Sequence, residues 1–282
     1  MKHHYSWIKT LIIILLIAGC SSDGGGNNKA STQNIAELNI GDRIVDTGWT
    51  WEFRHGYGYS NYGTSEKTEP VVWIVVAKDH YAAGTVTLIT ESLLGFYAYD
   101  SSIIDSGLLA GKNQWNQSGE TRPGGLRPWL NSTGFHQGEG FYNAFSADFK
   151  GIVLATQVEN KEYDTGKSYV TTDNVFIPSH TEMGAADHEG TYEIGKPYEY
   201  FVGADYIRLR AKILGESWER DYWTRSPYSA GYRPVGSVTT SGYYVSYFAD
   251  FNSVGVRAVV NVGSGVKVSK EANEQGVFEI KY

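Results

Sequence analysis

The sequence predicts an α+β fold in which few short helices accompany twisted antiparallel sheets and long loops. Short runs of β-branched and apolar residues are separated by long polar connections, which is typical of strands in a loop-rich domain. Segments with the helical spacing of apolar residues are few and brief. The 33 Gly and 21 Tyr residues also favour loops and aromatic, hydrogen-bonding surfaces over a helical bundle.

The first half of the chain predicts a hairpin and a short helix. Residues 70–77 (PVVWIVVA) form a continuous apolar run, which indicates a buried strand. Residues 84–90 (GTVTLIT) alternate and follow the stretch KDHYAAG, so the two runs are predicted to pair as a hairpin. The short segment 126–131 (LRPWLN) has its apolar residues on one helical face: Leu126, Trp129 and Leu130.

The second half predicts further strands. Residues 141–158 read as a helix that ends near Gly151 and continues into a strand. Residues 255–262 (GVRAVVNV) are predicted as a core strand, and residues 276–282 (GVFEIKY) as the last strand.

Residues 174–184 (NVFIPSHTEMG) predict a strand, a turn and a helix. Ser179 and Glu182 have the spacing of a capping box, in which hydroxyl and carboxylate each accept a hydrogen bond from the other residue's backbone N–H. Gly184 is then expected to end that helix after about one turn.

The N-terminus predicts export and lipid anchoring. A cationic start and a short apolar run are typical of a signal peptide over residues 1–19, and the run is too short to span a bilayer. Its ending, Ile17-Ala18-Gly19-Cys20, resembles the bacterial lipobox, which implies lipidation of Cys20. The alternative is an ordinary signal peptide with an accidental cysteine. Residues 20–37 are predicted as a flexible tether and residues 38–282 as a single domain.

These features predict a lipid-anchored, outward-facing protein of the cell envelope. Cys20 is the only cysteine, so no disulfide is expected. The formal net charge of −7 disfavours nucleic acid and anionic lipid headgroups as partners.

Several motifs occur in an order that resembles a known group. The segments VVWIVV, LRPWLN, VFIPSHTEMG, YWTRSP and GVRAVVNV resemble those of an uncharacterised family of bacterial surface domains. Their closing pattern is similar to that of the C-type-lectin-like fold, in the branch typified by the formylglycine-generating enzyme. The chain departs from the family pattern at Thr224, where Leu is common, and at Ala258, where Pro is usual.

The resemblance implies a fold whose N- and C-terminal strands meet. The segment GDRIVDTGWTWEF and the final GVFEIKY are candidates for neighbouring edge strands. Oxidation of a sulfatase cysteine in the enzyme branch depends on active-site cysteines, which this chain lacks, so that chemistry is excluded. The Glu-Pro-Asn, Gln-Pro-Asp and Trp-Asn-Asp tripeptides of calcium-dependent lectins are also absent. No cofactor is expected.

The polar stretch after residue 179 is a candidate metal site. Histidines and carboxylates can bind a divalent cation, and five occur close together: His180, Glu182, Asp187, His188 and Glu189. Their spacing matches no metal motif, so a solvated loop is favoured and no metal is predicted.

Residues 224–266 use a narrow alphabet that contains no Lys, Glu, Gln, Met or Trp. Tyr, Ser and Gly dominate, as in antibody paratopes, where Tyr supplies contact area and Ser and Gly adapt to the ligand. The predicted ligand-binding residues within segment 228–253 are Tyr228, Ser229, Tyr232, Arg233, Tyr243, Tyr244, Ser246, Tyr247, Phe248, Asp250, Phe251 and Asn252.

This composition resembles that of proteins varied by diversity-generating retroelements. Such elements mutate template adenines, and an AAC codon cannot become any of the five missing residue types. The alternative is a Tyr- and Gly-rich β meander whose tyrosines pack in a core. On the diversified-surface hypothesis the aromatic residues are expected to contribute little to stability.

Trp223, Arg225 and Arg257 flank this segment and are predicted to form a structural frame. Trp is a large apolar anchor, and the arginine fork can donate to several loop carbonyls. The alternative is that the two arginines contact the ligand.

The sequence leaves two functions open. The favoured one is a non-enzymatic surface protein that binds a protein or glycan of another cell or host, with weak dependence on salt. The other is an enzyme, or the remnant of one, from the formylglycine-generating branch, with an active site that no motif locates.

Overall fold

The structure, a computed structural model, describes residues 31–55, 68–100, 115, 125–134, 137–185, 190–203, 205–229 and 234–282. The predicted signal peptide and Cys20 lie outside these residues, as do Tyr232 and Arg233 of the predicted ligand-binding set.

Strands dominate the described residues. In chain order they are β1 Thr32–Asn34, β2 Arg43–Val45, β3 Trp51–Glu52, β4 Arg54–His55, β5 Thr68–Glu69, β6 Val72–Lys78, β7 Thr85–Thr90, β8 Gly95–Phe96, β9 Val153–Leu154, β10 Thr156–Lys161, β11 Ser168–Asp173, β12 Tyr222–Pro227, β13 Pro234–Val238, β14 Tyr244–Phe248, β15 Val259–Gly263, β16 Lys267–Ser269 and β17 Val277–Lys281.

Helices are short, as predicted. The α-helices are α1 Leu126–Asn131, α2 Ala147–Ile152 and α3 Tyr206–Leu209. Single 3-10 turns occur at Ile35–Glu37, Phe141–Ala144 and Glu199–Phe201. The architecture is therefore mostly open β-sheets with a few short helices, which agrees with the predicted α+β class.

The principal sheet has eight strands in the order β1-β16-β17-β2-β6-β7-β15-β9. The predicted β6–β7 hairpin is confirmed, with Ile74 opposite Ile89. The predicted meeting of the chain ends is also confirmed, because β2 pairs in parallel with β17 and places Ile44 opposite Phe278. Both strands lie inside the sheet, however, so the expectation that they are edge strands is wrong.

The predicted boundary between tether and domain lies too late in the chain. Residues 32–34 already pair with β16, with Gln33 opposite Val268. Ile35 follows and is fully buried in the core. Burying this side chain removes apolar surface from water and fixes the preceding strand in place.

An aromatic cluster forms the part of the core beneath α1. Trp51 meets Phe141 edge to face at 4.9 Å, and Trp129 stacks on Tyr97 at 4.0 Å. Edge-to-face and offset stacked pairs are the arrangements that aromatic rings prefer. The predicted apolar face of α1 is buried in this cluster.

The segment from residue 141 to 158 is broken where a continuous helix was expected. A 3-10 turn ends at Ala144, and α2 begins only after Ser146, whose hydroxyl accepts a hydrogen bond from Phe149 N at 3.0 Å. Serine at this position supplies the acceptor that the first helical turn lacks. The helix then ends at Ile152 and continues into β9, as predicted.

The helix predicted before Gly184 does not form, although its capping box does. Glu182 N donates to Ser179 Oγ at 3.0 Å, and Ser179 N donates to Glu182 Oε2 at 2.9 Å. Residues 180–184 form successive turns instead. The chain leaves at Gly184 with φ +88°, where an added Cβ would lie 2.8 Å from the Phe201 carbonyl oxygen, so glycine is required here.

Among the described residues, no helix has the length and apolar character needed to cross a membrane.

Candidate functional site

The predicted ligand-binding segment forms a β-hairpin on a third strand. Strands β12, β13 and β14 form a separate antiparallel sheet, with Gly236 opposite Ser246. A turn joins β13 to β14, and Thr239 N donates to Tyr243 O at 2.8 Å. The hairpin therefore brings together residues that the sequence places on either side of Gly242.

Three of the predicted aromatic residues are exposed on this hairpin and the loop after it. Tyr243, Phe248 and Phe251 are 55%, 57% and 49% exposed, respectively. Ser229 is also exposed, and the remaining described members of the predicted set are half-buried: Tyr228, Tyr244, Ser246, Tyr247, Asp250 and Asn252.

A cleft of about 330 Å³ lies beside the hairpin, and we call it the aromatic cleft. Tyr247 and Phe251 stack in its wall, with ring centroids 5.5 Å apart. The full lining comprises Phe96, Arg220, Asp221, Thr240, Tyr247, Phe251, Ser253 and Val254.

Asp221 organises the polar side of the aromatic cleft. Its carboxylate accepts a hydrogen bond from the Tyr247 hydroxyl and another, of 2.8 Å, from Thr240 N. Burial, the hydrogen bond to Asp221 and the charge of Asp221 together raise the pKa of Tyr247 to about 12. Tyr247 thus remains a neutral donor, and the carboxylate keeps its ring in place.

Aromatic residues outside the predicted segment extend this surface. Tyr206 of α3 lies 4.7 Å from Tyr243, and the Arg220 guanidinium lies 4.6 Å from the Trp218 ring. Tyr206 and Trp218 are both exposed. These residues and Asp221 were not predicted from the sequence. The signal that could have identified them is Trp218, an aromatic residue within the polar stretch that precedes Trp223.

Two predicted display residues also belong to the core. The Tyr244 hydroxyl donates to Met183 O at 2.8 Å, and its ring lies 5.0 Å from His180. Tyr244 and Tyr247 both pack partly buried against the core. The expectation of a small contribution to stability assumed exposed aromatic residues, and these two are partly buried instead.

The three predicted frame residues are fully buried. Trp223 Nε1 donates to Tyr97 O at 2.6 Å. Arg225 is 1% exposed and donates to the carbonyl oxygens of Ile177 at 2.9 Å and Glu159 at 3.2 Å. These contacts connect β12 with β10 and with the loops that contain Tyr97 and Ile177, as a structural role requires.

Arg225 also forms a bidentate ion pair with the fully buried Glu182. The hydroxyls of Tyr81 and Tyr198 donate to the same carboxylate at 2.8 and 3.0 Å. Burial acts to raise the pKa of Glu182, but the Arg225 charge, its hydrogen bonds and the Ser179 N–H outweigh burial and lower it. Glu182 is thus ionised and fully hydrogen-bonded.

This burial corrects the solvated-loop expectation for His180 and Glu182, which are 1% and 0% exposed. Asp187, His188 and Glu189 lie outside the described residues. Within the described part of the chain, no group of three or more His, Cys, Asp or Glu side chains has the arrangement of a metal site.

Comparison with protein-family models identifies a match over residues 83–264, described as "Domain of unknown function (DUF6273)". The chain belongs to the DUF6273 family. Searches of curated proteins and of solved structures found no match.

The DUF6273 match contains the structural features described above but only part of the principal sheet. The hairpin, the aromatic cleft and the Glu182–Arg225 pair all fall within residues 83–264. Strands β1, β2, β6, β16 and β17 fall outside it, and they are five of the eight strands of that sheet.

Proposed function

We propose that this protein is a ligand-binding surface lipoprotein, lipidated at Cys20, that captures its ligand with the β13–β14 hairpin and the aromatic cleft. The observation that carries the proposal is the exposure of Tyr243 and Phe248 on the hairpin and of Phe251 in the wall of the cleft. Large exposed apolar patches are uncommon on monomeric proteins, and where they occur they often mark interaction sites.

The chemistry of the aromatic cleft supports binding by stacking and hydrogen bonding. Tyr247 and Phe251 present a stacked pair of rings, and Arg220 and Asp221 present one charge of each sign beside them. A ring face can pack on the apolar face of a sugar or on a protein side chain, and both ligand classes fit the proposal. The opposite charges cancel at long range, so salt is expected to have little effect on the affinity for the ligand.

The proposal includes a C-type-lectin-like fold. Adjacent N- and C-terminal strands, long connections and buried Trp223, Arg225 and Arg257 support it. A hairpin held between such buried residues can vary in its exposed side chains while the core stays constant. Diversification of the exposed positions is part of the same hypothesis.

The decisive experiment is a binding screen of the full chain on glycan and cell-surface protein arrays. Phe251→Ser and Tyr243→Ser remove exposed aromatic surface, and each is expected to weaken binding at least tenfold, about 1.4 kcal/mol. Val170→Ser is the matched control, because Val170 is 59% exposed on β11 and outside the cleft.

Equal binding by all three variants would place the ligand site elsewhere. A change from 0.1 to 0.5 M salt is expected to alter the affinity less than about threefold, since steered electrostatic sites alone are strongly screened.

The genetic and anchoring components need separate tests. An AAC-rich near-repeat of the hairpin codons beside a reverse-transcriptase gene would support diversification, and an intact locus without either would contradict it. Cys20→Ala should abolish incorporation of labelled fatty acid and partition of the protein into detergent. Unchanged partition would refute the lipid anchor.

A further inference from the structure

A second cleft, of about 680 Å³, lies between the principal sheet and the segment that contains α3. We call it the arginine cleft. Its lining comprises Arg43, Glu69, Ile74, Glu91, Ser92, Tyr200, Ile207, Arg208, Arg210, Lys212, Ile213, Gly215, Glu216, Glu219 and Arg257. None of these residues lines the aromatic cleft, so the two sites can be tested independently.

Arg257 is the most unusual residue of this cleft. It is 2% exposed, and its Nε donates to Thr90 O at 2.8 Å. Its guanidinium lies 5.8 Å from the Phe201 ring and 5.7 Å from the Tyr222 ring. Within the described part of the chain, Nη1 has no hydrogen-bond partner and no carboxylate forms an ion pair with the residue.

Arg225 is a second buried arginine of this protein, and its charge is compensated by a carboxylate. It is equally buried, and Glu182 supplies a bidentate carboxylate. A buried charge without such a partner carries a large desolvation cost. Arg257 therefore lacks a negatively charged partner like the Glu182 carboxylate that pairs with Arg225.

The other charged side chains of the arginine cleft do not supply the missing negative charge. Arg43 pairs with Glu91, and Arg210 pairs with Glu219, so these four side chains neutralise one another. The Nε of Arg43 is nevertheless buried without a hydrogen-bond partner in the described structure. The complete lining has five cationic and four carboxylate side chains, which is a formal excess of one positive charge.

Apolar side chains complete the wall. Ile74 and Ile213 are buried, and Ile207 is exposed beside them. A ligand that satisfies this lining has one negative charge, a planar acceptor pair for the guanidinium fork and a compact apolar body. The four carboxylates oppose a polyanion.

From this complementarity, we propose that the arginine cleft binds a small monocarboxylate, with Arg257 as its principal ion-pair partner. The exposed Arg208 and Lys212, which have no ion pair among the described residues, attract the anion to the cleft. The proposal does not depend on the hairpin function.

The test uses the full chain with benzoate as the charged probe and benzamide as its neutral counterpart. Benzoate is expected to bind with a millimolar dissociation constant by calorimetry and to raise the melting temperature in proportion to its concentration. Benzamide, and sulfate or phosphate at equal ionic strength, are expected to give at most a tenth of that shift.

Variants locate the binding. Arg257→Met should abolish the benzoate response. In case it fails to fold, Arg208→Gln and Lys212→Gln, which change exposed residues, should each weaken benzoate at least threefold. Lys270→Gln, at an exposed lysine outside the cleft, is the matched control and should bind as the parent does.

Three results would overturn the proposal. The first is absence of benzoate binding to the parent. The second is an equal shift with sulfate or phosphate, which would indicate a general anion effect. The third is equal weakening by Lys270→Gln and the two cleft variants.

Discussion

At the residue scale, one carboxylate organises a large part of the interior. Glu182 joins Arg225 of β12, Tyr81 after β6 and Tyr198 in a single buried hydrogen-bonded group. Because the carboxylate is charged and fully desolvated, its effect on stability depends on every partner being present.

Removing the charge of Glu182 should therefore be costly. Glu182→Gln leaves Arg225 buried without a counter-charge, and we expect a loss of about 3–5 kcal/mol in the free energy of unfolding. Tyr81→Phe removes one hydrogen bond to the same carboxylate and should cost about 1 kcal/mol. Urea unfolding of both variants measures the difference. Equal losses in the two variants would show that the ion pair has no special role.

His80 next to this group should make stability depend on pH. Its ring lies 4.7 Å from both Tyr81 and Tyr198. Burial lowers the pKa of His80 below its ordinary 6.5, and the Glu182 charge opposes this only in part. Between the lowered pKa and 6.5 the unfolded chain binds a proton that the folded chain does not, so stability falls as the pH falls from 6.5 to the lowered pKa and then levels off.

His80→Phe should remove this contribution while keeping an aromatic ring at the position. We expect a smaller decrease in the free energy of unfolding between pH 7 and pH 5 than in the parent. Urea titrations at several pH values provide the measurement. Parallel pH profiles of parent and variant would contradict the assignment to His80.

At the element scale, β14 combines display and core packing. Tyr243, immediately before the strand, is exposed and contacts Tyr206, whereas Tyr244, the first residue of the strand, is partly buried and contacts Met183 and His180. Successive side chains of a strand point to opposite faces, so adjacent tyrosines can have different roles.

Substitutions at this pair should separate stability from binding. Tyr244→Ser should destabilise the fold by about 2 kcal/mol, because it loses partly buried ring contacts and a hydrogen bond. Tyr243→Ser should change stability by no more than about 0.5 kcal/mol, as exposed positions usually do. Thermal and urea unfolding distinguish them. A destabilisation of equal size would mean that both rings belong to the core.

At the scale of the whole molecule, the DUF6273 match contains only three of the eight strands of the principal sheet. Within residues 83–264, β7 keeps its partner β15 but loses β6. The loss of β6 also removes buried Trp73 and Val75 from the core. Loss of these partners exposes apolar surface of the remaining core to water, which lowers the stability of the fragment.

A fragment of residues 83–264 is accordingly expected not to fold cooperatively, whereas residues 31–282 should. Near-ultraviolet circular dichroism and urea unfolding compare the two fragments. A sharp, two-state transition of the shorter fragment would show that the family region is an independent domain.

Local patterns were sufficient for much of the fold. The apolar run of β6, the alternation of β7 and the one-sided face of α1 each express a periodicity within about ten residues, and all three predictions are confirmed. The Ser179–Glu182 capping box was found for the same reason, since both partners lie three residues apart.

The sequence by itself thus determined strands β6 and β7, helix α1 and the Ser179–Glu182 capping box, and it located the narrow-alphabet segment that contains the β13–β14 hairpin. Only the tertiary structure decided that Glu182 pairs with Arg225, which is 43 residues away, and that Phe96, Asp221 and Phe251 share one cleft. The tertiary structure also decided that Arg257 is buried without a carboxylate partner like the one that Glu182 provides to Arg225. Periodicity records which face of a segment is buried, but it does not record which distant residue that face meets.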